Sequence, residues 1–258
     1  MKIAFFSDLH LECLRASWAP QPLEVDVVIL AGDISLSTYG MQWAVKTFSA
    51  WPSAPAVIYV CGNHEFYEGS LRLIEELQSP TWARQGITFL EQGTVEFPGV
   101  RILGCTLWSG FDLYGAGTQQ ALAMATARAS INDYWMILGR SGKRLEPKGA
   151  LALFKRSVKW LKSELSKPFE GKTIVVTHFA PHRGCVAPQH EGSEVSPYFV
   201  TDLSHLMAAH PIALWCHGHT HTNNDFMAEN GCRVISNQRG YPGEVATSDF
   251  RPDLVIEV

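Results

Sequence analysis

Seven short apolar runs constrain what this 258-residue chain can fold into more than any other feature. They occupy residues 3–7, 27–31, 57–61, 87–90, 100–105, 174–177 and 213–216. Each is rich in Val, Ile or aromatic residues and stops at a glycine or a polar side chain. None alternates between apolar and polar positions. A strand with one face in water alternates, whereas a strand buried on both faces does not. The runs therefore predict a sheet covered by helices, in an α/β chain. Between them, residues 150–167 place Leu151, Phe154, Val158, Leu161 and Leu165 on one helical stripe. Residues 41–51, 70–77 and 116–138 also read as helices. Asn230-Gly231, between the runs 225–228 and 232–236, reads as a hairpin turn.

Five of the runs end alike. They lead into Asp8-Leu9-His10, Gly32-Asp33, Gly62-Asn63-His64-Glu65, His178 and His217-Gly218-His219-Thr220-His221. In α/β sheets, sites form beyond the carboxyl ends of strands, where side chains from several strands converge. The converging groups offer oxygen and imidazole but no thiolate. That donor set suits Mn, Fe, Zn, Ni or Co and does not suit copper–thiolate or iron–sulfur chemistry. Asp8, His10, Asp33, Asn63, His178, His219 and His221 are too many for one ion, and two ions sharing a bridging carboxylate would use them all. Gly32, Gly62 and Gly218 are expected to turn the backbone sharply beside these ligands.

Composition narrows the function classes. Only 18% of residues are charged and 46% are hydrophobic, which excludes a disordered chain. The longest unbroken apolar run, 56–61, is far short of the ~20 residues of a membrane span. The apolar stretch at the start is too short for a signal-peptide core, so a cytoplasmic protein is expected. A net charge of -4 disfavours a dedicated nucleic-acid binder. The six cysteines form no C-x-x-C pair and read as buried, reduced thiols.

Taken in order, Asp8-x-His10, Gly32-Asp33, Gly62-Asn63-His64-Glu65, His178 and Gly218-His219-x-His221 resemble the five motifs of the calcineurin-like metallophosphoesterases. The resemblance covers residues 2–221. It implies a four-layer sandwich of two mixed β-sheets flanked by helices, in a single domain over 1–258. It also implies two divalent metal ions, manganese first among them, with Fe, Zn, Ni or Co as alternatives. Asp8, His10 and His221 would hold one ion, Asn63, His178 and His219 the other, and Asp33 would bridge. Two divalent ions beside two aspartates leave the centre positive, so it attracts phosphate although the chain is acidic. Such a pair acidifies a water between them and orients an in-line attack. His64 would stabilise the transition state or protonate the leaving oxygen; the alternative is that it orients Asn63 or Asp33.

The remaining candidates divide. His217 is expected to point away from its neighbours as a structural histidine, and Glu65 to support its loop. His182, His190, His205 and His210 read as surface or loop residues. Arg239 and Tyr241 either contact substrate or form a turn. Residues 108–148 form a helical insertion that either caps the site or packs outside the sheet. No arginine follows Asp33 in Ile34-Ser35-Leu36-Ser37, which speaks against a protein phosphatase. Phe179 stands where many bacterial relatives carry a second histidine. The expected activity is hydrolysis of phosphomonoesters or phosphodiesters of small molecules or nucleotides, with no membrane or long nucleic acid as partner. A nuclease of the same superfamily and a non-catalytic, metal-binding interaction scaffold are the rivals.

Overall fold

The computed structural model describes residues 1–244 and 249–258. Strands β1 (Lys2–Phe6), β2 (Val27–Ala31), β3 (Ala56–Val60) and β4 (Ile87–Phe89) run parallel, and β11 (Val255–Glu257) joins β1 antiparallel, giving the order β11-β1-β2-β3-β4. The second sheet has the order β5-β6-β7-β8-β10-β9. Its strands are β5 (Gly93–Phe97), β6 (Val100–Cys105), β7 (Lys172–Thr177), β8 (Ile212–His217), β9 (Asp225–Met227) and β10 (Arg233–Ser236). β5 and β9 are antiparallel to their neighbours and the rest are parallel.

The two sheets pack face to face. Ile3, Phe5, Val27, Ile29, Ile58 and Val60 from one meet Ile102, Ile174, Val176, Leu214 and Ile235 from the other in one core cluster. The alternate residues, such as Ala4, Phe6, Val28 and Tyr59, belong to a second cluster outside that interface. There α1 (Tyr39–Phe48) buries Met41, Ala44 and Phe48 on the first sheet. On the second sheet α6 (Pro147–Leu165) buries Phe154, Leu161 and Leu165. Both faces of each central strand are thus dry, which is why the apolar runs do not alternate. Four layers result, as the resemblance implies.

The expected helices need correcting in extent. Residues 116–138 are not one helix: α4 (Thr118–Ser130) stops at Ile131, which is extended at φ -99° and ψ 128°, before the short α5 (Asp133–Met136). The break turns Asp133 inward, where it is fully buried. The helix read over 70–77 is only α2 (Leu73–Leu77), and α1 ends three residues early. Short elements escaped the sequence reading, among them α3 (Pro80–Arg84), β5 and β11. β5 is an edge strand that alternates half-buried and exposed positions, so it is no apolar run. α7 (Ser196–Phe199) and α8 (Ser204–Ala209) lead back to β8. The hairpin turn forms as read, with Asn230 and Gly231 both left-handed at φ 54° and 73°. Five cysteines are buried and free as expected, but Cys13 is exposed. Among the described residues, no helix is long and apolar enough to cross a membrane.

One tie positions the site. After β10 the chain crosses to the end of β1, where Ser7 N donates to Asn237 O at 3.2 Å and Gly240 N to Asp8 O at 2.9 Å. The two sheets are stitched together at the edge where the motif residues emerge.

Candidate metal centre

Asp8, His10, Asp33, His219 and His221 all have left-handed backbone, with φ between 44° and 74°. Such a conformation is costly for residues with a Cβ and persists only where the surroundings impose it. The surroundings here are hydrogen bonds between strand ends. Asp8 N donates to Gly32 O and His10 N to Asp33 O, both at 3.0 Å. The Glu65 carboxylate accepts from Gly62 N at 2.7 Å, from Asp33 N and Ile34 N at 3.0 Å, and from the Tyr59 hydroxyl at 2.8 Å. Glu65 supports its loop as expected. Of the three glycines read as sharp turns, only Gly32 has positive φ, at 86°. Gly62 and Gly218 serve close approach instead: a Cβ on either would collide with the Asp33 or Asp8 carboxylate.

All seven candidate ligands come together, in two groups. Asp8, His10 and His221 form one, and Asp33, His178 and His219 another, each with donor atoms within 4.8 Å of one another. Asp33 faces both, its Oδ2 lying 3.4 Å from His178 Nε2 and 3.9 Å from His10 Nε2. Asn63 joins the second group through Oδ1, 3.1 Å from His178 Nε2.

The hydrogen-bond network shows what these groups lack. His10 Nδ1 faces Glu12 Oε1 at 3.1 Å and His221 Nδ1 faces Glu244 Oε2 at 2.7 Å, so both Nδ1 atoms carry hydrogen. Their Nε2 atoms then face each other across 3.0 Å, with room for one proton between them. In the other group His178 Nδ1 donates to Ala31 O at 2.9 Å, and the Asn63 amide donates to Asp133 Oδ1 at 2.9 Å. That leaves His178 Nε2, Asn63 Oδ1, Asp33 Oδ2 and His219 Nδ1 converging, with 3.2 Å between the two ring nitrogens. Donor atoms so arranged can close around a cation. The residues present therefore fit two borderline or hard divalent ions.

Charge agrees with that fit. Burial opposes a charge on His178 and His221, but Asp33 pushes the first up to about 9, and Asp8 with Glu244 the second up to about 10. Burial, then the neighbouring His178, hold His219 well below its ordinary value. Without metal the site holds protons where ions would sit, so binding displaces them.

His64 lies beside both groups. Its Nδ1 faces Glu12 Oε1 at 3.1 Å, its Nε2 faces the Tyr241 hydroxyl at 2.8 Å, and its ring stacks on Tyr67. Burial works against its charge, yet Asp33 and Glu12 raise its pKa. Tyr241 thus reaches the site, whereas Arg239 lies over the Trp18 ring at 5.1 Å. His217 faces away as expected: Nε2 is 3.3 Å from Cys185 Sγ, and burial lowers its pKa to about 4. Phe179 packs its ring 3.9 Å from that of His219.

A cavity of about 460 Å³ opens over the centre. Ile131, Asn132 and Asp133 form part of its wall, so the break between α4 and α5 bounds the site. His190 is an exposed loop residue as expected, and it also lines the cavity. Among the described lining residues none is Lys or Arg. Sequence reasoning missed the residues that hold the ligands: Glu12, Glu244, and above all Asp133, which accepts from Asn63, Tyr67 and Tyr198. Glu12 sits two residues after His10 and was within reach of a sequence argument. Asp133 and Glu244 arrive from distant segments and were not.

Residues 1–223 match the family model for calcineurin-like phosphoesterases. The chain belongs to that family. It is a metal-dependent phosphoester hydrolase, and the family implies two divalent ions. Two solved structures share the fold. Phosphopantetheinyl hydrolase from Mycobacterium tuberculosis is 19% identical at a TM-score of 0.71, covering 93% of this chain and 90% of its own. A dimetal phosphatase from Danio rerio is 15% identical at a TM-score of 0.54, covering 97% and 89%. Comparison with curated protein sequences yields no match.

Proposed function

We propose that this calcineurin-like phosphoesterase hydrolyses phosphomonoester or phosphodiester bonds of small molecules, nucleotides included. The observation that carries the reading is the pair of carboxylate and imidazole clusters that meet at Asp33 at the floor of one cavity. Asp8, His10, Asp33 and His221 hold one ion, and Asp33, Asn63, His178 and His219 the other, with manganese as the proposed metal. Bound there, two divalent ions supply Lewis acidity toward the phosphate oxygens and the attacking water.

The chain's own residues do the rest. Asp33 sets the spacing of the two positions. Glu12 and Glu244 hold His10 and His221 in the tautomer that leaves Nε2 free. His64, whose pKa Asp33 and Glu12 raise against burial, lines the cavity and in its protonated form gives a proton to the departing alkoxide as the P–O bond breaks. The Tyr241 hydroxyl orients that ring. A cavity of about 460 Å³ suits a small ester, and its lack of Lys and Arg among the described lining residues speaks against a nuclease.

The test is metal analysis of the purified protein beside turnover of bis(p-nitrophenyl) phosphate and p-nitrophenyl phosphate. Two bound ions and hydrolysis of either ester are expected. No bound ion, with no turnover after Mn²⁺ reconstitution, would overturn the reading; two bound ions with no turnover would leave the metal-binding scaffold.

A further inference from the structure

A second cavity, of about 320 Å³, adjoins the metal cavity. Its lining is mostly apolar, with Val186, Ala187, Val195, Phe199 and Val200 beside the buried Cys185. His190, Phe199, Thr220 and Thr222 line both cavities, so the two share a wall. That wall touches the metal centre directly, because the Phe199 ring lies 5.0 Å from the ring of His219.

The apolar wall is braced. Ser196 Oγ donates to His190 O at 2.7 Å, Gly192 N to the Tyr114 hydroxyl at 2.9 Å, and Val200 pairs with Ala180. Val186, Val195 and Phe199 nonetheless stay half-buried, facing space that no described side chain fills. Among the described residues neither lining contains Lys or Arg. A second phosphate, sulfate or carboxylate on a ligand there would meet no Lys or Arg, only hydroxyls and the His190 ring, and a charge set against mostly apolar walls is costly. Apolar surface set there is instead withdrawn from water, which favours binding.

We propose that this cavity receives the organic part of the substrate, and that the substrate is accordingly a singly phosphorylated, otherwise uncharged alcohol with a sizeable apolar portion. The inference rests on the phosphoesterase reading and narrows it: nucleoside polyphosphates and sugar bisphosphates fall outside the class. The phosphate sits at the metal centre and the apolar portion crosses the wall formed by Phe199, Thr220 and Thr222.

The experiment uses the Mn²⁺-reconstituted full chain and two homologous series, n-alkyl phosphates and n-alkyl p-nitrophenyl phosphodiesters, from methyl to hexyl. In whichever series turns over, kcat/KM should climb, by up to about fourfold for each methylene that becomes buried. Val195→Trp, which fills the cavity, should lower the hexyl-to-methyl ratio, and so should Val186→Asp, which charges its wall. The ratio is read within each variant, so partial loss of folded protein does not distort it. A flat or falling series in the wild type overturns the inference while leaving the phosphoesterase reading intact. Ratios unchanged in both variants move the apolar contact elsewhere and overturn the assignment of this cavity. No turnover in either series, nor with the simple nitrophenyl esters, takes down the phosphoesterase reading itself.

Discussion

The two halves of the metal centre are built differently. On the Asn63, His178 and His219 side the supports are buried and belong to rigid elements. His178 is tied to the main chain of β2 at Ala31 O, and Asn63 to Asp133, which is itself fully buried and held by two tyrosines. On the Asp8, His10 and His221 side the supports are loop carboxylates near solvent. The side chain of Glu12 is 16% exposed and that of Glu244 is 38% exposed. A ligand held from the interior keeps its orientation, while one held from a loop keeps it only as long as the loop stays. The Asn63, His178 and His219 half is therefore expected to bind its ion tightly and the Asp8, His10 and His221 half to exchange it.

The largest effect should come from the residue the halves share. Asp33→Ala should lose both ions and lower kcat/KM by at least about a thousandfold, since two ions contribute several kcal/mol to the barrier reduction. Metal analysis decides it: a variant that keeps both ions shows that Asp33 does not join the halves. His64→Ala should keep both ions and lose about a hundredfold or more in turnover of unactivated alkyl esters, where general acid catalysis matters most. Full retention on those esters would remove His64 from the chemistry.

His217 provides a contrast of another kind, because it shares a strand end with His219 and faces the opposite way. Its folded pKa, near 4, lies below the ordinary 6.5, so the neutral form belongs to the fold. The stability it contributes is whole above pH 6.5 and drains away as pH falls from 6.5 toward 4, by about 3 kcal/mol in all. Denaturant melts of the wild type and His217→Gln should show a gap that narrows over that range. A constant gap would mean that His217 is charged in the fold.

The comparison itself is sharpened by the two supports. Asp133→Asn should weaken the ion of the buried half by about 10–100-fold, since the Asn63 amide is then free to flip its oxygen away. Glu244→Gln should weaken the other ion by less, about tenfold or below, because an exposed carboxylate contributes less. Competition with a chelator reads both, and equal losses would erase the distinction drawn between the halves.

Much of this architecture was legible in the chain. Non-alternating apolar runs announced strands covered on both faces, because a buried strand has no wet face to mark. The polar residues at their ends announced the ligands, since parallel strands present all their carboxyl ends to one side. Less legible were the edges and breaks. β5 and β11 are short and lie at sheet margins, where half-exposed residues carry little signal. The split at Ile131 did not show, because helical spacing continues through it.

By itself, then, the sequence determined which residues could ligate metal and that several strands would deliver them to one edge of the sheets. Only the tertiary structure decided what holds those ligands. Asp133 lies 70 residues from Asn63, and Glu244 lies 23 residues from His221. A hydrogen bond across such separations leaves no spacing to read, because its geometry is set by how α5 and residues 237–244 pack over the strand ends. The same packing made the apolar cavity beside the centre, whose walls come from Cys185 through Thr222 and meet only in the folded chain.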